Sequence, residues 1–135
     1  MSDQKETVVF TNGCFDVLHR GHIELLRFCR TLGDRVIVGL NSDSSTRAIK
    51  GPSRPHNTQE DRKTMLEELR SVDEVIIFHE DTPYRLIQNL LPDIIVKGSD
   101  YAEDQVVGRH LSEVVIFDII NGYSTTKAIQ DSGHR

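Results

Sequence analysis

Positive charge is in short supply in this 135-residue sequence: 16 Lys and Arg stand against 21 Asp and Glu, a formal net charge of −5. Such a chain lacks the basic field that non-specific nucleic-acid binding needs, so any phosphate it handles must be met by a local site. Cysteine is scarce as well. Cys14 and Cys29 are the only two; they have no metal-type spacing and read as small buried hydrophobes rather than catalysts. Long apolar runs are missing, since nothing approaches the roughly 20 residues of a membrane span. The segment Met1-Ser2-Asp3-Gln4-Lys5-Glu6 is polar where a signal peptide would be apolar. The expectation is a reduced, cytoplasmic setting with neither nucleic acid nor membrane as partner.

What is present is enough apolar content, 37%, for one ordinary globular domain, read as residues 1–135. Short β-branched runs recur at residues 7–10, 35–40, 73–78, 93–96 and 113–117, each followed by a helical pattern, and they read as parallel strands buried on both faces. Ile23, Leu25, Leu26, Cys29 and Leu32 mark one helix, closed by Gly33 as a C-cap residue. A second opens at Thr58, an N-cap with Asp61 at the third helical position, and runs through Met65, Leu66 and Leu69. Pro83 suits the first turn of a third over residues 84–90, which Pro92 closes, and residues 124–130 read as a short last helix. Strict alternation predicts an α/β, Rossmann-like, doubly wound parallel sheet of five strands with its ligand crevice at the carboxyl ends. The longest connection, residues 42–57, reads as a functional, mobile loop.

The first strand leads into Thr11-Asn12-Gly13-Cys14-Phe15-Asp16 and then His19-Arg20-Gly21-His22, which sets two imidazoles at a helix N-terminus. Free N–H groups and the helix dipole already attract phosphate there. Two His three residues apart share one side of the turn and can donate to a phosphate whose charge grows in a transition state. Gly21 between them, lacking a Cβ, allows phosphate oxygens close to the backbone. On spacing alone, exposed helix-start histidines or a metal pair remain alternatives. Arg62 falls in the first turn of its helix, where a cation opposes the dipole, so a phosphate or carboxylate partner is expected for it. On residue type alone Lys50 is a solvated loop lysine.

Gly13-Cys14-Phe15-Asp16 with His19-Arg20-Gly21-His22 resembles the Gly-x-Phe-Asp and His-x-Gly-His signatures of the cytidylyltransferase-like nucleotidyltransferases, relatives of the class I aminoacyl-tRNA synthetases. Further blocks are similar to the heptose 1-phosphate adenylyltransferases: Asn41-Ser42-Asp43, Lys50-Gly51, Arg54-Pro55, Glu60-Asp61-Arg62, Glu80-Asp81-Thr82-Pro83, Val96-Lys97-Gly98-Ser99-Asp100-Tyr101 and Gly122-Tyr123-Ser124-Thr125-Thr126. The resemblance covers about residues 7–130. It implies that a sugar 1-phosphate attacks the α-phosphorus of ATP in line, releasing pyrophosphate, with no covalent intermediate.

By the same resemblance, His19, His22 and Lys50 are the catalytic residues, the two imidazoles on the triphosphate and Lys50 closing over it from the long loop. Thr11, Asn12, Gly13, Phe15 and Gly21 lie beside the nucleotide, Lys97, Gly98 and Asp100 border base and ribose, and Tyr123, Ser124, Thr125 and Thr126 face the β and γ phosphates. Asp16, Asn41, Asp43, Arg54 and Arg62 fall on the substrate side. Mg²⁺ is expected to be held by phosphates and water with no protein ligand, and a homodimer is expected. Ile119 stands where glycerol 3-phosphate cytidylyltransferases tend to carry an Arg, which favours adenine. The segment between Gly108 and the fifth strand is shorter than in the heptose enzymes. CTP-dependent transfer to glycerol 3-phosphate or a similar alcohol phosphate is the alternative.

Overall fold

Alternating apolar residues decide which face each strand covers. In the computed structural model, which describes residues 5–99 and 102–118, Val9 of β1 (Val8–Gly13) packs with Val36 and Val96 on one side of a sheet. Its neighbour Phe10 packs with Ile37 and Ile95 on the other. These pairs sit on β2 (Arg35–Asn41) and β4 (Ile94–Gly98). With β3 (Glu74–Phe78) and β5 (Glu113–Phe117), the described residues form a five-stranded, all-parallel sheet in the order β3-β2-β1-β4-β5. Strands buried on both faces need helices on both, as the near-continuous Val and Ile runs imply.

Helix α1 (Arg20–Leu32) lays Leu25, Leu26 and Cys29 on the Val9 face, where Leu66 of α3 (Gln59–Glu67) joins Leu26, Val38 and Leu40. Helix α4 (Tyr84–Leu90) covers the opposite face with Ile87 against Phe10, Ile37 and Ile95. The chain therefore winds outward from β1 to β3 and returns to add β4 and β5 on the far side of β1. The strand order reverses between β1 and β4, the position at which an open α/β sheet leaves a crevice at its carboxyl edge. The expected Rossmann-like, doubly wound, five-stranded α/β fold is the fold observed.

Several local expectations need correction. Residues 42–57 are not one open loop: Asp43–Lys50 is helix α2, capped by Ser42, whose side chain accepts from the Ser45 N–H at 3.1 Å. Asp43 in its first turn and Arg47 and Lys50 in its last complement the helix dipole. Pro83 occupies the cap position before α4 rather than the first turn. Strands β3 and β4 begin one residue later than expected because Asp73 and Asp93 act as locks. Asp73 accepts from Val36 N–H, Asp93 from Val8 N–H, and Asp34, ahead of β2, from Thr7 N–H, each at 2.8 Å. This repeated device stitches the amino edge of the sheet and leaves the carboxyl edge open for chemistry.

Gly33 does follow α1, but its backbone is extended (φ −163°, ψ −175°) rather than left-handed. Its glycine serves a close approach: a Cβ there would lie 2.7 Å from the Thr7 carbonyl oxygen and 2.7 Å from a methyl of Val9. Gly33→Ala should therefore destabilise the fold by about 1–3 kcal/mol through overpacking. A lowered urea midpoint at unchanged m-value is the expected result; a midpoint equal to wild type would contradict it.

Candidate active site

Strand β1 delivers the chain to the crevice, and Phe15, in a left-handed conformation (φ 46°), turns it toward α1. The start of α1 is closed by two reciprocal bonds. His19 is the N-cap, and its Nδ1 accepts from the Gly21 N–H at 3.0 Å, while Nδ1 of His22 accepts from the His19 N–H at 3.2 Å. The rings stack with centroids 3.9 Å apart and 22° between planes, and Phe15 meets His22 edge-on at 5.1 Å.

That bonding determines the tautomers. An Nδ1 that accepts from a backbone N–H keeps its lone pair there, so the ring proton of the neutral imidazole sits on Nε2. Both histidines are thereby set as N–H donors at a helix N-terminus, and neither has a lone pair left for a metal. The metal-pair alternative loses its chemical basis. His22 is also held neutral: burial, the neighbouring His19 and then the Lys50 ammonium lower its pKa from the usual 6.5 to about 4. An uncharged His22 costs little to stack on His19, whereas two imidazolium rings at 3.9 Å would repel.

Of the residues expected on the substrate side, Asp16 and Arg54, and Asp43 and Arg62, pair with one another within the chain, while Asn41 also lines the crevice. Arg62 is completely buried. Its Nε donates to the Asn57 carbonyl, Nη1 to the carbonyls of Cys14 and Asn41, and Nη2 to the Asp43 carboxylate, at 2.7–2.9 Å. The expected phosphate or carboxylate partner of Arg62 is, among the described residues, the carboxylate of Asp43. Asp16 is likewise buried and spent. It accepts from Arg54 Nε at 2.7 Å, His56 N–H at 2.8 Å and Asn57 N–H at 3.1 Å, so it pins the connection between α2 and α3. Asn41 donates to Ser45 Oγ at 2.9 Å.

Of the remaining described candidates, Asn12, Gly13, Lys50 and Lys97 line the crevice, and Thr11, Phe15, Gly21 and Gly98 do not. Thr11 spends its hydroxyl on the Val96 carbonyl at 2.8 Å, tying β1 to β4 at the reversal point. Lys97 Nζ donates to the Asn12 carbonyl at 3.0 Å, and Gly98 ends β4. Asn12, Gly13, Asn41, Lys50 and Lys97 line a common cleft of about 330 Å³, together with residues of the β3–α4 connection and the turn near residue 105. Lys50 is the last residue of α2, not a loop residue. Its charge reaches both this cleft and His22. Gly21 is buried in the first turn of α1. Asp100, Ile119, Tyr123, Ser124, Thr125 and Thr126 lie outside the described residues. Of the thiols, Cys29 is buried, which pushes its pKa up to about 12, and Cys14 is partly exposed at the cleft. No helix among the described residues is long and apolar enough to cross a membrane.

Comparison with known proteins adds independent findings. The family model described as cytidylyltransferase-like matches residues 10–130. A bifunctional protein HldE of Mesorhizobium japonicum is 53% identical over 128 residues, 91% of this chain and 26% of that protein. One of Campylobacter fetus subsp. fetus is 53% identical over 125 residues, 92% of this chain and 27% of that protein. The chain spans about a quarter of the length of the curated relatives it matches. A lipopolysaccharide core biosynthesis protein from Thermoplasma volcanium superposes with a TM-score of 0.75 at 27% identity, over 87% of this chain and 100% of that one. Pantoate-beta-alanine ligase from Francisella tularensis, complexed with beta-gamma ATP and beta-alanine, has a TM-score of 0.60 at 18% identity over 83% of this chain and 59% of that one, a likeness of fold alone.

The Asp16 latch makes a pH prediction. Burial pushes its carboxyl up, but the His56 N–H, the Arg54 guanidinium and the Asn57 N–H together outweigh that and hold it at about 2. The folded pKa lies below the unfolded value near 3.9. The latch therefore contributes fully above about pH 5 and is lost as pH falls through about 4 toward 2, a total of about 2 kcal/mol. Asp16→Asn should remove that part of the acid dependence of the urea midpoint. Parallel wild-type and variant curves between about pH 5 and 2 would contradict the assignment.

Proposed function

This chain belongs to the cytidylyltransferase-like family, and from that membership we propose that it is a nucleotidyltransferase joining a sugar 1-phosphate, a heptose 1-phosphate by resemblance, to ATP with release of pyrophosphate. The observation that carries this reading is the stacked His19–His22 pair at the start of α1, with both Nδ1 atoms bound to backbone and both Nε2–H donors available. Relatives of the bifunctional HldE type, and a structural neighbour described as a lipopolysaccharide core biosynthesis protein, support sugar chemistry.

In this mechanism an oxygen of the sugar phosphate attacks the α-phosphorus in line. The bond to the bridging oxygen breaks, and the electron pair leaves with pyrophosphate. A phosphate monoester is largely dianionic at pH 7, so no general base is needed. The work left to the protein is positioning and charge stabilisation. His19 and His22 donate Nε2–H to the phosphate oxygens as charge accumulates. The N-terminus of α1, with Gly21 in its first turn, adds its dipole, and Lys50 adds a full charge. Thr11, Asn12, Gly13 and Phe15 shape the backbone beside the phosphates. The resemblance assigns Lys97 and Gly98 to base and ribose; it gives the same role to Asp100 and the β,γ-phosphate role to Tyr123, Ser124, Thr125 and Thr126, which lie outside the described residues.

Nδ1 of both histidines is engaged by backbone N–H groups, and Mg²⁺, a hard cation that favours oxygen ligands, would be carried by phosphate oxygens and water, where it would neutralise charge on the departing pyrophosphate. A homodimer belongs to this proposal through the resemblance, and a cytoplasmic location and the action of residues 1–135 as one domain belong to it through composition and length.

The test is pyrophosphate release with heptose 1-phosphate and either ATP or CTP. Wild type should use ATP with the higher kcat/KM, and His19→Ala and His22→Ala should each lower kcat by about 10²-fold or more with smaller effects on nucleotide affinity. Preference for CTP would overturn the adenylyl assignment. Full activity in either histidine variant would overturn the role given to the pair.

A further inference from the structure

Helix α2 carries Lys50 yet has no apolar face to hold it in place. A surface helix is ordinarily fixed by a stripe of buried apolar side chains, but the buried residues of α2 are Ser45 and Thr46, and its apolar residues, Ala48 and Ile49, are exposed. Its placement falls to polar contacts instead. At its first residue the Asp43 carboxylate accepts from Arg62, and the Asp43 N–H donates to Gln59 Oε1 at 2.8 Å. Both partners belong to α3.

Ser45 reaches elsewhere. It is buried, and its hydroxyl accepts from Asn41 Nδ2 at 2.9 Å and donates to the Glu80 carbonyl at 2.7 Å. A hydroxyl has a single proton to give, so Glu80 takes the donor and Asn41 fills an acceptor position. The bridge ties the end of β2 and the first turn of α2 to the β3–α4 connection, and among the described residues no other side chain of α2 bonds to that connection. Beyond the bridge both segments enter the cleft. Ile49, one turn further along the same helix face, and Lys50 line it, as do Asp81, Thr82 and Pro83, which directly follow Glu80.

We propose that Ser45 is a positioning residue for nucleotidyl transfer: its hydroxyl, held between Asn41 and Glu80, fixes α2 against the β3–α4 connection and thereby sets where Lys50 presents its ammonium to the phosphates. The inference rests on the nucleotidyl-transfer reading and deepens it with a residue that touches no substrate. A lysine stem is flexible and its charge is a point, so the helix end from which it projects decides which phosphate oxygens it reaches. Misplacing a group that acts on the reacting atoms by about 1 Å can cost about 10²-fold in rate.

Two measurements separate positioning from general support of the fold and from the reaction itself. In pyrophosphate release with ATP and heptose 1-phosphate, Ser45→Ala should lower kcat/KM about tenfold and Lys50→Met about 10²-fold. The double variant should match Lys50→Met within about twofold, because Ser45 acts only through Lys50. Losses that multiply in the double variant, or wild-type activity in Ser45→Ala, would overturn the proposal. Should Ser45→Ala fail to fold, Ser45→Cys, which keeps only a weak donor, takes its place in the same cycle. The second measurement needs no turnover. In the free protein His22 feels the Lys50 ammonium, after burial and His19, so its titration midpoint should rise in Lys50→Met. Ser45→Ala should raise it by no more than Lys50→Met does, and should add nothing in the double variant. A Ser45→Ala midpoint equal to wild type would overturn the positioning role. A protein that releases no pyrophosphate yet shows these shifts would retain Ser45 as the anchor of Lys50 and refute the transfer reaction.

Discussion

The buried guanidinium of Arg62 is the constraint on which the carboxyl edge of the sheet depends. Four hydrogen bonds from one side chain reach the end of β1 at Cys14, the end of β2 at Asn41, the start of α2 at Asp43 and the connection before α3 at Asn57. Strand ends at a carboxyl edge leave carbonyl oxygens that the ladder no longer uses, and burying them without partners is costly. Arg62 supplies donors to two such carbonyls, those of Cys14 and Asn41, and to that of Asn57 before α3, and Asp43 balances its charge. Removing one partner of a buried, hydrogen-bonded ion pair costs far more than the pair contributes in net terms. The geometry of the crevice is in that sense a property of one residue outside the ligand surface.

The latch at Asp16 extends that frame to the catalytic segment. It joins the loop that precedes His19 to Arg54, His56 and Asn57, while Arg62 secures Asn57 from the other side. The path from β1 to α1 is thereby held at Cys14 and Asp16 before it presents the histidines. Preorganised donors stabilise a developing charge because they need not reorient when it forms. The two imidazoles meet this requirement, since their Nδ1 atoms are bonded to the backbone they cap.

Much of this was legible in the sequence, for physical reasons that can be named. The β-branched runs had to be doubly buried strands, and the histidines had to lie at a helix start, because both follow from local pattern. Helix α2 was missed because Asp43–Lys50 carries only Ala48 and Ile49 as apolar residues, too few for a helical stripe; Ser42 followed by Asp43 was the available signal. Arg62 was recognised as a cation needing an anion, but whether that anion belonged to substrate or to Asp43 depends on contacts across 19 residues that spacing does not encode. Gly33 was read as a conformational device, and its requirement is a contact with Thr7 and Val9, which exists only once β1 and α1 have packed.

The central claim is that the paired histidines are backbone-fixed Nε2–H donors with His22 uncharged before phosphate arrives. Long-range proton–nitrogen spectra of the histidine rings, followed across pH in the free protein, test it most directly. The account predicts the Nε2–H tautomer for the neutral form of both rings and a His22 titration centred at about 4. An Nδ1–H tautomer in either ring, or a His22 midpoint at or above the ordinary value near 6.5, would contradict it.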